Sequence, residues 1–391
     1  MIKTDPGRQN TIESSEQSIE AIQEEETEAL LSVSPKFAAV LLHGLMANVD
    51  ELDKIAESLR SQFGPSVLVI QPNSRGTTGS LTQSVSNQAK NIFKEIEVEL
   101  VANKQVVKTL PIVIIGYSQG GVVGCTIAKY YADQLNIQGV VTINAPLMGT
   151  SLLRRTPTDL GEFMAKAEPG LSIVRDHVQR IYQEQEWRLT LKTVPQIKRT
   201  MWQSTFGLKY LIGPKWMPIP YIGGLKDIFP DSSAVRQVYD FLRRENSSIP
   251  CLLISSYQDD FADFFNLDIE TNDNRTVEAI EGLNQSYAKF TTGKEEGKHD
   301  TLIPLASQLC RGDSFDDLAS LNFGSYMDPI IIDMPGNPLV EGRIYKDISH
   351  AGNLIALDVN LFKTNPAIDT VITADAVIRD ILSFVQEKVL L

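Results

Sequence analysis

Four short apolar runs punctuate the first 150 residues: FAAVLL (37–42), SVLVIQP (66–72), PIVII (111–115) and QGVVTINAP (138–146). Runs of this length without polar alternation predict strands covered on both faces. The segments between them behave differently. VDELDKIAESLRSQF and residues 84–103 and 119–135 repeat apolar positions at helical spacing. Strand and helix alternating at this spacing predict parallel strands joined by crossover helices.

After residue 150 the rhythm breaks. Residues 151–249 read as helix and loop, including the aromatic, proline-rich stretch TFGLKYLIGPKWMPIPYIGGL (205–225). Strand patterns return at IPCLLISSY (249–257), PIIIDMP (329–335) and GRIYKDIS (342–349), with a polar insertion at 258–298. TADAVIRDILSFVQEKVLL closes the chain as an amphipathic helix. The expected organisation is an acidic tail over 1–35, an α/β core over 36–150 and 250–391, and a helical cap inserted at 151–249. No internal repeat is visible.

Composition narrows the function classes. The 391 residues are 42% hydrophobic, enough for a sizeable core, and 36 basic against 49 acidic residues give a net charge of −13. That balance disfavours nucleic acid and anionic membrane surfaces as general partners. Cys125, Cys251 and Cys310 are too few and too far apart for a disulfide framework or a paired metal-ligand spacing. The first thirty residues lack the apolar stretch of a secretory signal. No run reaches the roughly 18 apolar residues of a spanning helix. The expectation is a protein that is not transmembrane and is either cytoplasmic or exported without that signal.

The chemistry begins where PIVII ends. Gly116-Tyr117-Ser118-Gln119-Gly120 joins a buried strand to a helix, and Gly-x-Ser-x-Gly in that context is a nucleophile elbow. Small residues on either side let neighbouring backbone approach, and the following helix N-terminus favours negative charge. A serine of this kind needs a base. Of the four histidines, His43 directly follows the first strand, His177 lies in a charged helix and His299 in a polar loop. His350 follows a late strand in SHAGNL and is the favoured base. The acid that orients it falls between serine and histidine in sequence: Asp300, in KHDTLIPLASQ, or else Asp259 or Asp260 after CLLISSY. The acid–apolar–proline context favours Asp300.

Together, His43-Gly44-Leu45, Gly116-Tyr117-Ser118-Gln119-Gly120, Asp300-Thr301-Leu302-Ile303-Pro304 and Ser349-His350 resemble the α/β-hydrolase superfamily, its lipase and esterase branch in particular. The order Ser, Asp, His is that family's order. The resemblance implies a mostly parallel sheet flanked by helices, with a helical cap over the site. It implies an oxyanion hole from the backbone N–H groups of Leu45 and Gln119, with His43 shaping the loop. Met46, Tyr117 and Trp216 are expected beside the substrate.

The expected reaction is hydrolysis of a lipid ester through an acyl-enzyme, without cofactor or metal, with transient contact between the cap and a membrane surface. A thioesterase acting on acyl-protein or acyl-CoA uses the same machinery and stays open. So does a non-catalytic lipid- or protein-binding module on the same scaffold. Ala351-Gly352-Asn353 lack the calcium ligand that some secreted lipases carry beyond the histidine. DIETNDNRTVEA (268–279) lacks the glycine and final acid of an EF-hand loop.

Overall fold

Alternate residues of each core strand feed opposite hydrophobic layers. Ala38, Val40, Leu42, Ile112, Ile114 and Val140 pack into one layer. Phe37, Ala39, Leu41, Val113, Ile115 and Val141 pack into the other. This is why the runs are apolar on every residue rather than every second one. The computed structural model describes residues 34–45, 47–76, 78–185, 223–243, 248–265, 267, 274–311, 328–333, 336–350 and 370–390.

The strands are β1 (Phe37–Leu42), β2 (Val67–Ile70), β3 (Ile112–Tyr117), β4 (Ile137–Ile143), β5 (Cys251–Tyr257), β6 (Ile330–Asp333) and β7 (Val340–Lys346). They form one sheet in the order β2-β1-β3-β4-β5-β7-β6. Every pairing is parallel except β6 with β7, which is antiparallel at the edge. Each of the seven runs predicted as strands overlaps one of these.

The helices are α1 (Asp53–Phe63), α2 (Thr78–Thr82), α3 (Val85–Ala102), α4 (Gln119–Tyr131), α5 (Pro157–Gln185), α6 (Gly223–Lys226), α7 (Ser233–Arg243), α8 (Phe261–Phe265), α9 (Asn274–Thr292), α10 (Leu305–Gln308) and α11 (Asp375–Lys388). Apolar faces of α3, α4 and α7 cover one side of the sheet. Those of α1 and α11 cover the other. The three cysteines are free and buried, and all three lie in the α3–α4–α7 layer.

The polar insertion at 258–298 contains a 19-residue helix, α9. Its Ile280, Leu283 and Tyr287 pack with Ala167 and Val174 of α5 and with Phe261. Phe290 packs with Leu152 and Leu160, against which Leu302 lies. The helix reaches the loop of Asp300 in this way. Its residues 280, 283, 287 and 290 form an apolar stripe that the surrounding polar residues hide from a hydropathy reading.

Three backbones touch where β1, β3 and α4 meet. A Cβ on Gly120 would stand 2.1 Å from the Leu42 carbonyl oxygen, and one on Gly116 would stand 2.4 Å from the Gly120 carbonyl oxygen. Gly282 of α9, by contrast, has open space around it. Gly120→Ala should therefore cost about 3 kcal/mol or more through overpacking against backbone. Gly282→Ala should stabilise by about 1 kcal/mol, because alanine is the better helix former. Thermal unfolding of the two variants beside wild type checks both signs.

Candidate active site

Ser118 lies between β3 and α4 with φ +52° and ψ −126°, a conformation that a residue with a side chain adopts at a cost of about 1–3 kcal/mol. The glycine contacts around it hold it there. Its Oγ–H donates to Nε2 of His350 at 3.0 Å. Nδ1 of His350 lies 2.7 Å from Asp300 Oδ2. A carboxylate only accepts, which assigns the ring proton to Nδ1 and leaves the Nε2 lone pair facing the serine.

Asp300 is 0% exposed. It is satisfied despite that burial: Oδ1 accepts from the Leu302 and Ile303 amides at 3.0 and 2.7 Å, and Oδ2 accepts from the histidine. The two other candidate acids are occupied elsewhere. Asp259 pairs with Lys298 at 2.6 Å in a partly exposed bridge. Asp260 accepts from the Ala262 amide and the Asn284 side chain. Burial, hydrogen bonding and contact with His350 thus coincide at Asp300 alone of the three.

Two tyrosines brace the arms that carry these residues. Tyr117 donates its hydroxyl to the His350 carbonyl at 2.6 Å, with its ring 5.0 Å from the imidazole. It is 3% exposed. The expectation that Tyr117 lies beside the substrate is therefore corrected: its side chain is committed to His350. Tyr287 of α9 donates to the Thr301 carbonyl at 2.6 Å and steadies the Asp300 loop. Sequence reasoning missed Tyr287 because it sits far from any motif.

Gln119 is the first residue of α4, where a backbone N–H has no acceptor within the helix. Leu45 lies in the turn after His43-Gly44, and a Cβ on Gly44 would stand 3.3 Å from the Ser118 Cβ. The loop of Leu45 and the start of α4 therefore face the same serine. Met46 and Trp216 lie outside the described residues. Among the described residues, no group of three or more His, Cys, Asp or Glu side chains is placed to hold a metal ion. No described helix is long and apolar enough to cross a membrane.

His43 and His299 are committed to backbone contacts of their own. His43 Nδ1–H donates to the Gly44 carbonyl at 2.8 Å. His299 Nδ1 accepts from the Thr301 amide at 3.1 Å. Burial holds each pKa down at about 4, so both are neutral at pH 7. The His43 side chain thus bonds within the loop that leads to Leu45.

The profile of the palmitoyl protein thioesterase family matches residues 38–209, somewhat under half of the chain. No curated protein sequence matches it. Similar solved structures include an extracellular α/β-hydrolase from a Paenibacillus species, 23% identical over 34% of this chain and 51% of that one, with a TM-score of 0.24. Phospholipase PlaB from Legionella pneumophila is 10% identical over 62% of this chain and 42% of that one, with a TM-score of 0.33. A cutinase-like protein from Cryptococcus sp. is 17% identical over 31% and 58%, with a TM-score of 0.24. This chain spans about half the length of the Paenibacillus hydrolase and less of the phospholipase.

The buried neutral histidines make a pH prediction. In the unfolded chain His299 titrates near 6.5, but in the fold near 4. Between those values the unfolded state binds more protons, so this residue's contribution is complete above pH 6.5 and is lost as the pH falls toward 4. Between pH 7 and 4.5 the wild type should lose roughly 2–3 kcal/mol more stability than His299→Gln, which keeps an acceptor for Thr301. Urea unfolding at the two pH values measures the difference.

Proposed function

We propose that this α/β-hydrolase is a serine hydrolase that cleaves fatty acyl esters through an acyl-enzyme. The observation that carries the reading is the buried relay from Ser118 through His350 to Asp300, with contacts of 3.0 and 2.7 Å. In this reading Ser118 attacks the carbonyl carbon as His350 takes its proton. The oxyanion forms against the backbone N–H groups of Leu45 and Gln119, each donor contributing roughly 3–4 kcal/mol. His350 then protonates the leaving group, and water repeats the sequence on the acyl-enzyme. Asp300 keeps the imidazole in its productive tautomer and stabilises the imidazolium.

A second reading has its own support. The match to the palmitoyl protein thioesterase profile spans the elbow and the start of the insertion. It favours a long acyl chain and admits a thioester as the bond broken. The chemistry after acylation is the same, because both leave one acyl-serine. The insertion at 151–249, joined by α9, is proposed as the cap over the acyl chain, and through it the protein would meet a lipid surface.

A fluorophosphonate should label Ser118 and nothing in Ser118→Ala. The variant should lose roughly 10⁴-fold or more of its turnover. No labelling of folded wild type would instead favour the binding-module reading. Asp300→Asn should cost roughly 10⁴-fold, while Asp259→Asn and Asp260→Asn stay near wild type.

The substrate is tested separately, with oxygen esters and thioesters matched at acetyl and octanoyl length. Each buried methylene contributes about 0.8 kcal/mol, so kcat/KM should rise from acetyl to octanoyl in both series. The series with the higher kcat/KM at equal chain length identifies the bond. A preference for acetyl in both would sink the fatty-acyl reading.

A further inference from the structure

One peptide unit beside Ser118 is gripped at both poles by opposite charges. The His43 carbonyl oxygen accepts from Arg75 Nη1 at 2.6 Å. The N–H of the same peptide, that of Gly44, donates to Glu51 Oε2 at 2.7 Å. Arg75 is 1% exposed, an unusual place for a guanidinium. Two further bonds go to neutral side chains: Nε donates to Gln88 Oε1 at 2.7 Å and Nη2 to Gln119 Oε1 at 3.0 Å. Gln119 in turn donates to the Ser80 and Gly224 carbonyls, so its side chain is fixed at both ends.

The next peptide along the chain is separated from this one only by φ and ψ of Gly44, and its Gly44 carbonyl is held in turn by His43 Nδ1 at 2.8 Å. The N–H of that next peptide is that of Leu45. The same guanidinium that holds the His43 carbonyl also holds the side chain of Gln119, whose backbone N–H opens α4. One buried cation therefore ties together the two segments that face Ser118. Glu51 supplies the opposing charge across the gripped peptide, and burial keeps its carboxyl above the usual range while the Gly44 amide draws it back.

We infer that Arg75 and Glu51 are positioning residues for the oxyanion hole, clamping the His43–Gly44 peptide between them so that the Leu45 and Gln119 amides converge on one oxygen. The inference rests on the reading of Ser118 as nucleophile. Neither side chain takes part in bond making. Their effect falls on the tetrahedral state and leaves substrate binding alone, because the oxyanion exists only after attack.

The test uses the full chain, with active sites counted by fluorophosphonate titration. Glu51→Ala should lower kcat about 10- to 100-fold, the range expected when a donor is misplaced by about 1 Å. KM should change little. An alkyl trifluoromethyl ketone, which adds to the serine and leaves an oxyanion, should bind weaker by a similar factor. Glu51→Gln, which keeps an acceptor for Gly44, should recover part of both losses. Arg75→Lys, whose single ammonium cannot span the three acceptors, should show the same pattern as Glu51→Ala.

Unchanged kcat and ketone affinity in Glu51→Ala and Arg75→Lys would overturn the clamp, and so would a fall in melting temperature with normal kcat per titrated site. If Glu51→Ala does not fold, Glu51→Gln and Arg75→Lys decide by the same criteria. An active Ser118→Ala would overturn the nucleophile itself, an outcome separable from failure of the clamp.

Discussion

Ser118 can hold its conformation only because three backbones touch around it. The Leu42 carbonyl at the end of β1 and the Gly120 backbone of α4 occupy the space where side chains would be. This contact packs β1, β3 and α4 so closely that the loop after β1 has nowhere to go except beside the serine. The strained φ is stored in a turn that the sheet and helix over-determine. Positive φ recurs at Asn144 after β4, at Thr301 beside Asp300 and at Asp347 after β7. Of the seven such non-glycine residues among those described, Ser118, Asn144 and Asp347 come directly after β3, β4 and β7.

The two other members of the relay arrive on long arms that need their own anchors. His350 comes from beyond β7 and is held by its amide to the Asp300 carbonyl, by Tyr117 and by the bridge from Ser349 to Thr370. Asp300 comes from the loop after α9 and is held by two amides of its own turn. A carboxylate buried completely is stable only with such bonds, since an ion without partners is costly to bury. The same bonds leave Oδ2 aimed at the histidine. Stability of the loop and orientation of the histidine are therefore one arrangement.

Charge inside the molecule is sorted by what each group must do. His43 and His299 are kept neutral by burial and serve as hydrogen-bonding struts. Arg75 stays positively charged at pH 7 even though burial lowers its pKa to about 10. Its charge is spread over a carbonyl and two side-chain amides, with Glu51 nearby. Some exposed charges, such as Lys54 with Asp375 and Arg154 with Asp231, form surface pairs. Such pairs contribute little to stability.

Much of this was legible in the chain. The unbroken apolar runs of β1, β3 and β5 are buried along their whole length and were readable from their pattern, whereas β6 at the edge is half-exposed. The elbow was readable because Gly116, Ser118 and Gly120 lie within five residues and their spacing reflects local sterics. His350 was readable by elimination among four histidines. The acid was readable only in part: its acid–apolar–proline context favoured Asp300, but Asp259 and Asp260 also precede the histidine in polar surroundings, and sequence carries no record of which carboxylate is desolvated. Tyr117 looked like a substrate contact from its place in the motif, yet packing turned it to His350. Helix α9 was hidden in a polar segment because its apolar stripe is narrow. Arg75 and Glu51 carried no signal at all, since a charged residue in a loop or at the start of a helix is ordinarily solvated. The sequence by itself determined the elements and the strained serine, which depend on neighbours a few residues away. Only the tertiary structure decided which distant charges are buried together, because burial and partnership are properties of the packed chain.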